Sequence, residues 1–339
     1  MTLKPRHLGQ NSIRLPKGLS VTVCIAAKLI EDGKEKLVLV SDSKVAFGQF
    51  SADNAIRKDI PLLQRHAVLI AGNNVSRAGI ILERARNTLK SVNKPHTDQV
   101  AEAVFDSCKT EWDRIADTTV LHKHGYSLAT FRKMGKNLCS DAVFYDIHSE
   151  LKQVSLSLDI LVVGFDDKEK AHIRFVNADT PPEDYDSLGF WAIGSGKHEA
   201  LASLSYAVEH LDCSFVGKLG PFVYHLLAAK FMAESASDVG KTTQLVILDA
   251  QTPRLFHDGL DGSISYIRQR WEDGGAPRLP RGVEEDWETF MKIDTKELLT
   301  VLDGQAEPSQ EIKEAAKLSP QISGILDVAS RMKQRKLTQ

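Results

Sequence analysis

The sequence predicts an α+β fold in which antiparallel sheets pack on one another and are covered by helices. Three observations predict it. Apolar runs come in adjacent pairs joined by turn residues, helical periodicity is grouped between those pairs, and the strand-helix-strand alternation of a parallel sheet is missing. With 339 residues and 42% apolar content the chain can bury a substantial core.

The first pair is VTVCIAAKLI and KLVLVSD, separated by EDGKE, where Asp32 and Gly33 supply the turn. DIPLLQ and HAVLIAG, joined near Arg65, form the second, so four strands are expected before the first helix. That helix is VSRAGIILERARNTLK, with Ala78, Ile81, Leu82 and Ala85 at helical spacing. Residues 97 to 150 continue helical, Val100, Val104 and Cys108 sharing one face and LATFRKMGKNL opening a further segment. LDILVVGFD and AHIRFVNA pair around DDKEK, and LGFWAIGSG runs through a glycine turn into the helix KHEALASLSYAVEHL. The order then reverses: GPFVYHLLAAKFMAES is a helix with Pro221 in its first turn, and TTQLVILDA is the strand after it. Beyond about residue 262 the composition turns polar, with GGAPRLPRG as a linker and helical stretches at 283 to 302 and 308 to 335.

Composition removes several function classes. Lys plus Arg is 43 against 45 for Asp plus Glu, which gives no electrostatic reason for a nucleic-acid or anionic-membrane partner. No apolar run reaches the roughly 18 residues of a membrane span. Cys24, Cys108, Cys139 and Cys213 form no CxxC pair, so neither a zinc site nor a disulfide framework is indicated, and a reducing, cytoplasmic setting is expected. GKT at 240 to 242 would close a phosphate loop only with glycine at Ser235, and GSGK at 194 to 197 fails because Trp191 holds the glycine position. His122 and His124 read as a solvated loop, so neither cofactor nor metal is expected.

What remains is Thr22, a hydroxyl in a buried strand, which needs either a hydrogen-bond partner or a chemical role. TVCIAAK, SDSKVAFG, the lysine of NAIRKDIPLL, VLIAGNN, LVVGFD and AIGSG occur in that order over about residues 20 to 250. Together they resemble the proteasome β-type subunits and their bacterial relatives, which are N-terminal nucleophile (Ntn) hydrolases. The sixteen residues from Asp42 to Lys58 equal the family's spacing of aspartate and lysine.

The resemblance implies a four-layer αββα sandwich over residues 21–262, preceded by a leader or non-native extension at 1–20 and followed by a polar, partly helical extension at 263–339. It implies Thr22 as nucleophile with its own α-amine as base, Lys58 as positive support, Asp42 holding Lys58, and Ser195 nearby. Asp238 is a loose match to the later family aspartate. Cys24, on the same strand face as Thr22, is core. The resemblance also implies hydrolysis of a peptide or small amide, and a homo-oligomeric ring or spiral. SLSYAVEHL and VYHLLAAKF are expected to offer helix faces for that assembly.

An α-amine with a reference pKa of about 7.7 to 8.0 can accept a proton at cellular pH, but only if it is free. Here 21 residues precede Thr22, and the β-branched Val21 disfavours self-cleavage at that bond. Two explanations follow: translation begins at Val21 with a methionine that is then trimmed, or the extension stays and the chain is an inactive scaffold subunit.

Overall fold

The computed structural model describes residues 22–47, 50–52, 58–72, 75–211, 213–236, 239–250, 253–257, 262–274, 283–293, 295–303 and 305–337. Its strands are β1 (Val23–Glu31), β2 (Lys34–Asp42), β3 (Val45–Phe47), β4 (Phe50–Ala52), β5 (Asp59–Leu63), β6 (His66–Gly72), β7 (Leu158–Phe165), β8 (Ala171–Val176), β9 (Glu183–Asp184), β10 (Phe190–Gly194), β11 (Thr243–Leu248) and β12 (Pro253–His257). Helices α1 (Val75–Leu89), α2 (Thr97–Ala116), α3 (Leu128–Leu138) and α4 (Asp141–Gln153) lie between β6 and β7. Helices α5 (Lys197–His210) and α6 (Leu219–Ala233) lie between β10 and β11. The chain continues through α7 (Ser263–Asp273), α8 (Val283–Met291), α9 (Thr295–Leu302), α10 (Gln310–Leu318) and α11 (Pro320–Leu337).

Two five-stranded sheets result, ordered β10-β1-β2-β11-β12 and β5-β6-β7-β8-β9, with β3 and β4 as a separate pair. All pairings between these strands are antiparallel. Asp32 and Gly33 turn β1 into β2 with φ of 51° and 73°, the mirror-image turn whose twist matches a hairpin.

Period-two alternation divides each sheet between two cores. Cys24, Ala26, Leu37 and Leu39 of the first sheet face Ala67, Leu69, Leu161 and Val163 of the second in one buried cluster. The opposite face of the first sheet, Val23, Ile25, Val38 and Val40, packs on α5 and α6. Val68, Ile70, Ile160 and Val162 of the second pack on α1 and α2. The chain is therefore α+β, with helices on the outer face of each antiparallel sheet.

Some expectations are corrected. Six strands precede α1, because β3 and β4, three residues each, form an extra hairpin in SDSKVAFGQFSA. Residues 223 to 231 are no exposed helix face: all nine are buried, because α6 lies between the first sheet and α5, α7 and α8, with Ile264, Ile267 and Trp287 closing over it. The helical stretch from 308 breaks at Pro320, which cannot continue a helix but opens α11, and the buried Ser319 hydroxyl accepts the Ile322 N–H. The stretch from 283 divides likewise into α8 and α9. Of the GGAPRLPRG segment, residues 275–282 lie outside the described residues. Among the described residues no helix is long and apolar enough to cross a membrane.

Candidate active site

Four strand ends meet at one end of the first sheet. β1 starts at Val23 opposite Gly194, where β10 ends, and β2 ends at Asp42 opposite Thr243, where β11 starts. Thr22 stands one residue before β1 and is buried. Gly194 permits this meeting. Its φ is +97°, and a Cβ there would lie 2.4 Å from the Thr22 carbonyl oxygen, so only glycine fits.

Lys58 arrives from the other sheet. Its backbone carbonyl accepts the Ile70 N–H at 3.1 Å, which anchors it beside β6, and its side chain crosses to Thr22. Lys58 Nζ donates to the Thr22 hydroxyl and, at 2.6 Å, to Asp42 Oδ1. The Thr22 hydroxyl in turn donates to Asp42 Oδ1 at 2.5 Å. Asp42 is fixed by backbone donors as well, Val23 N–H on Oδ1 at 2.9 Å and Gly240 N–H on Oδ2 at 3.0 Å. Ser195 Oγ accepts the Thr22 N–H and donates to the Thr22 carbonyl, both at 3.2 Å. The Gly196 N–H adds a second donor to that carbonyl at 3.2 Å.

The structure thus brings Thr22, Asp42, Lys58 and Ser195 into one hydrogen-bonded cluster; Asp238 lies outside the described residues. Cys24 sits two residues along in the inter-sheet core, its thiol donating to the Ile70 carbonyl at 3.5 Å, and burial pushes its pKa up to about 12. A thiol so protonated is no nucleophile. His122 and His124 are exposed in a single turn after α2.

Sequence reasoning missed the support behind Asp42. Lys230, fully buried in α6, donates to the carbonyls of Gly240 (2.8 Å) and Lys241 (3.0 Å) and to Glu234. Arg268 of α7 grips Glu234 with two bonds of 2.7 Å and also reaches the Lys241 carbonyl at 2.8 Å. Gly240-Lys241 therefore serves the site through its backbone. Burial pushes Lys230 down to about 8, with Glu234 opposing that shift. An unmatched Gly-Lys-Thr next to a strand was the only trace of this in the sequence.

Chemically, an ammonium against a hydroxyl stabilises the alkoxide form, and a carboxylate on the same nitrogen orients the ammonium; in a buried site both effects strengthen. A charged lysine cannot also take the hydroxyl proton. The remaining nitrogen beside that hydroxyl is Thr22's own, now a peptide nitrogen held by Ser195. No protein-family model matches this chain, and no curated protein matches it.

Proposed function

We propose that this protein is a threonine-type hydrolase with the four-layer αββα architecture of the Ntn hydrolases, cleaving peptide or amide bonds once the α-amine of Thr22 is free. One observation carries the reading: Lys58 Nζ bonds both the Thr22 hydroxyl and the Asp42 carboxylate, with Ser195 Oγ 3.2 Å from the Thr22 nitrogen. In a chain beginning at Thr22 that nitrogen becomes an amine. It takes the hydroxyl proton as the oxygen attacks the substrate carbonyl, returns it to the leaving amine as the C–N bond breaks, and then takes a proton from the water that cleaves the threonyl ester and restores the hydroxyl. Ser195 holds the amine in place, Lys58 stabilises the developing oxyanion of the threonine, and Asp42 orients Lys58. The resemblance in the order of motifs supplies the reaction class and the homo-oligomeric ring or spiral, and the scattered cysteines supply the cytoplasmic setting.

A second reading is favoured by a specific observation. Thr22 is 1% exposed, and its N–H is committed to Ser195. An inert scaffold subunit of the proteasome type, keeping its extension, needs no more than this.

The experiment compares the full chain with a chain expressed from a methionine placed directly before Thr22, using threonine-directed epoxyketone and β-lactone probes. The reading expects the shortened chain to be labelled at Thr22, Thr22→Ala to abolish labelling, and the full chain to stay unlabelled. A folded shortened chain that remains inert hands the case to the scaffold reading.

A further inference from the structure

A second cluster of polar side chains lies on the other sheet and plays no part in the threonine chemistry. His172 on β8, Asp166 in the turn before it and His96 at the N-cap of α2 each offer a ligand atom, and these atoms lie within 4.8 Å of one another. We propose that His96, Asp166 and His172 bind a borderline first-row divalent cation of the zinc type.

The hydrogen bonds around the cluster orient it for a metal. His172 Nδ1 lies 2.6 Å from Asp186 Oδ2, so Nδ1 carries a proton, and in the neutral imidazole the lone pair is then on Nε2, where a metal ion would take the place of the second proton that the two carboxylates favour. That Nε2 is buried, has no hydrogen-bond partner among the described residues, and stands 3.6 Å from Asp166 Oδ2. This is close to the separation of about 3.4 Å between two ligands on a tetrahedral zinc with bonds near 2.1 Å. Asp166 is held in a matching orientation, because its Oδ1 accepts the N–H groups of Lys168 and Lys170, both at 2.8 Å, which leaves Oδ2 turned toward His172. Asp186 is fixed in turn by the Ile173 N–H at 2.8 Å and by Arg174 at 2.9 Å. A carboxylate behind a ligating imidazole is the usual second partner of a metal-bound histidine.

His96 completes the set. A capping box with Gln99 fixes its backbone, and its ring lies 4.7 Å from that of His172, centroid to centroid. Its side chain is 39% exposed, against 15% for His172 and Asp166, so it forms the mouth through which an ion enters. The carboxylates of Asp98, Asp166, Asp184 and Asp186 surround the site and meet Arg174, Lys28 and the two imidazoles at ion-pair distance. Two imidazoles and one carboxylate suit zinc or iron(II) and disfavour magnesium or calcium, which take oxygen ligands. The site ties the N-terminus of α2 to the β7–β8 turn.

The test uses the full chain after dialysis against a chelator. Zn2+ titrated calorimetrically is expected to bind with one equivalent per chain at micromolar free metal, and Co2+ to give the visible d–d bands of a four- or five-coordinate nitrogen and oxygen site. His172→Ala and Asp166→Asn are expected to abolish the bands. His96→Ala, which also removes the N-cap bond from the Asp98 N–H, should weaken binding about 10- to 100-fold in a chain that still folds, as should Asp186→Asn behind the ligand. His122→Ala with His124→Ala should leave binding unchanged, as should Thr22→Ala, which separates this site from the threonine. Failure of the wild-type chain to bind either ion, or binding unaltered in a folded His96→Ala chain, overturns the proposal.

Discussion

Gly240 donates its backbone N–H to Asp42 Oδ2 at 3.0 Å, joining residues 198 positions apart at the back of the candidate site. The bond depends on Lys230, whose ammonium holds the carbonyls of Gly240 and Lys241. Lys230 is thus a positioning residue: its bonds go to Gly240, Lys241 and Glu234, and through them it sets where one donor to Asp42 stands.

Replacing Lys230 with Met keeps the volume and removes three bonds at once. The buried Gly240 carbonyl and the partly buried Lys241 carbonyl each lose a donor, and among the described residues Glu234 keeps Arg268. Breaking a buried ionic network of this kind costs about 3 to 5 kcal/mol, and the Lys230→Met chain is expected to unfold at a clearly lower urea concentration than wild type. In a chain starting at Thr22, probe labelling should also slow, because Asp42 loses a fixed neighbour. Arg268→Met, which leaves Lys230 on both carbonyls, should slow it less.

His66 and His225 give the fold an acid limit. Burial pushes both down to about 4, with the charge of Arg65 adding to the effect at His66. Below the ordinary histidine value of 6.5 the unfolded imidazole takes a proton that the folded one refuses. The unfolded state then binds more protons, so stability is fully present above pH 6.5 and is lost as the pH falls toward about 4, by about 1.4 kcal/mol per pH unit for each histidine. Urea midpoints measured from pH 7 down to pH 4.5 should fall, and more shallowly in His225→Leu. An equal slope in the two chains rules His225 out as a cause.

How much of this could be read beforehand varies with the range of the contact. Alternation and the Asp32-Gly33 turn gave away the β1–β2 hairpin, because both signals are local. Thr22, Asp42, Lys58 and Ser195 stood out through the resemblance that the order of motifs carries, with the sixteen-residue spacing of Asp42 and Lys58 in support. Gly240, Lys230 and Arg268 did not, since their meeting depends on α6 and α7 packing side by side. His96 and His172 are 76 residues apart and join only when α2 crosses β8. The burial of α6 was legible and overlooked: in VYHLLAAKF only His225 and Lys230 break an apolar surface that runs all round, and such a helix belongs inside.

On the proposed reading, the pair at the centre of the site separates catalysis from stability. Lys58 and Asp42 are 4% and 0% exposed, and removing either charge alone strands the other in a low dielectric. In a chain beginning at Thr22, Lys58→Met is therefore expected to cost stability, though less than a bare buried charge, because Thr22, Val23 and Gly240 still donate to Asp42. Adding Asp42→Asn removes the stranded charge, so the double variant should recover part of the lost stability. Labelling by threonine-directed probes should behave differently. It should fall by about two orders of magnitude or more in Lys58→Met, because the ammonium is what lowers the cost of the alkoxide, and it should not return in the double variant. A double variant that regains stability and labelling together shows Lys58 to be a structural partner of Asp42 alone, and the proposed role of the lysine fails.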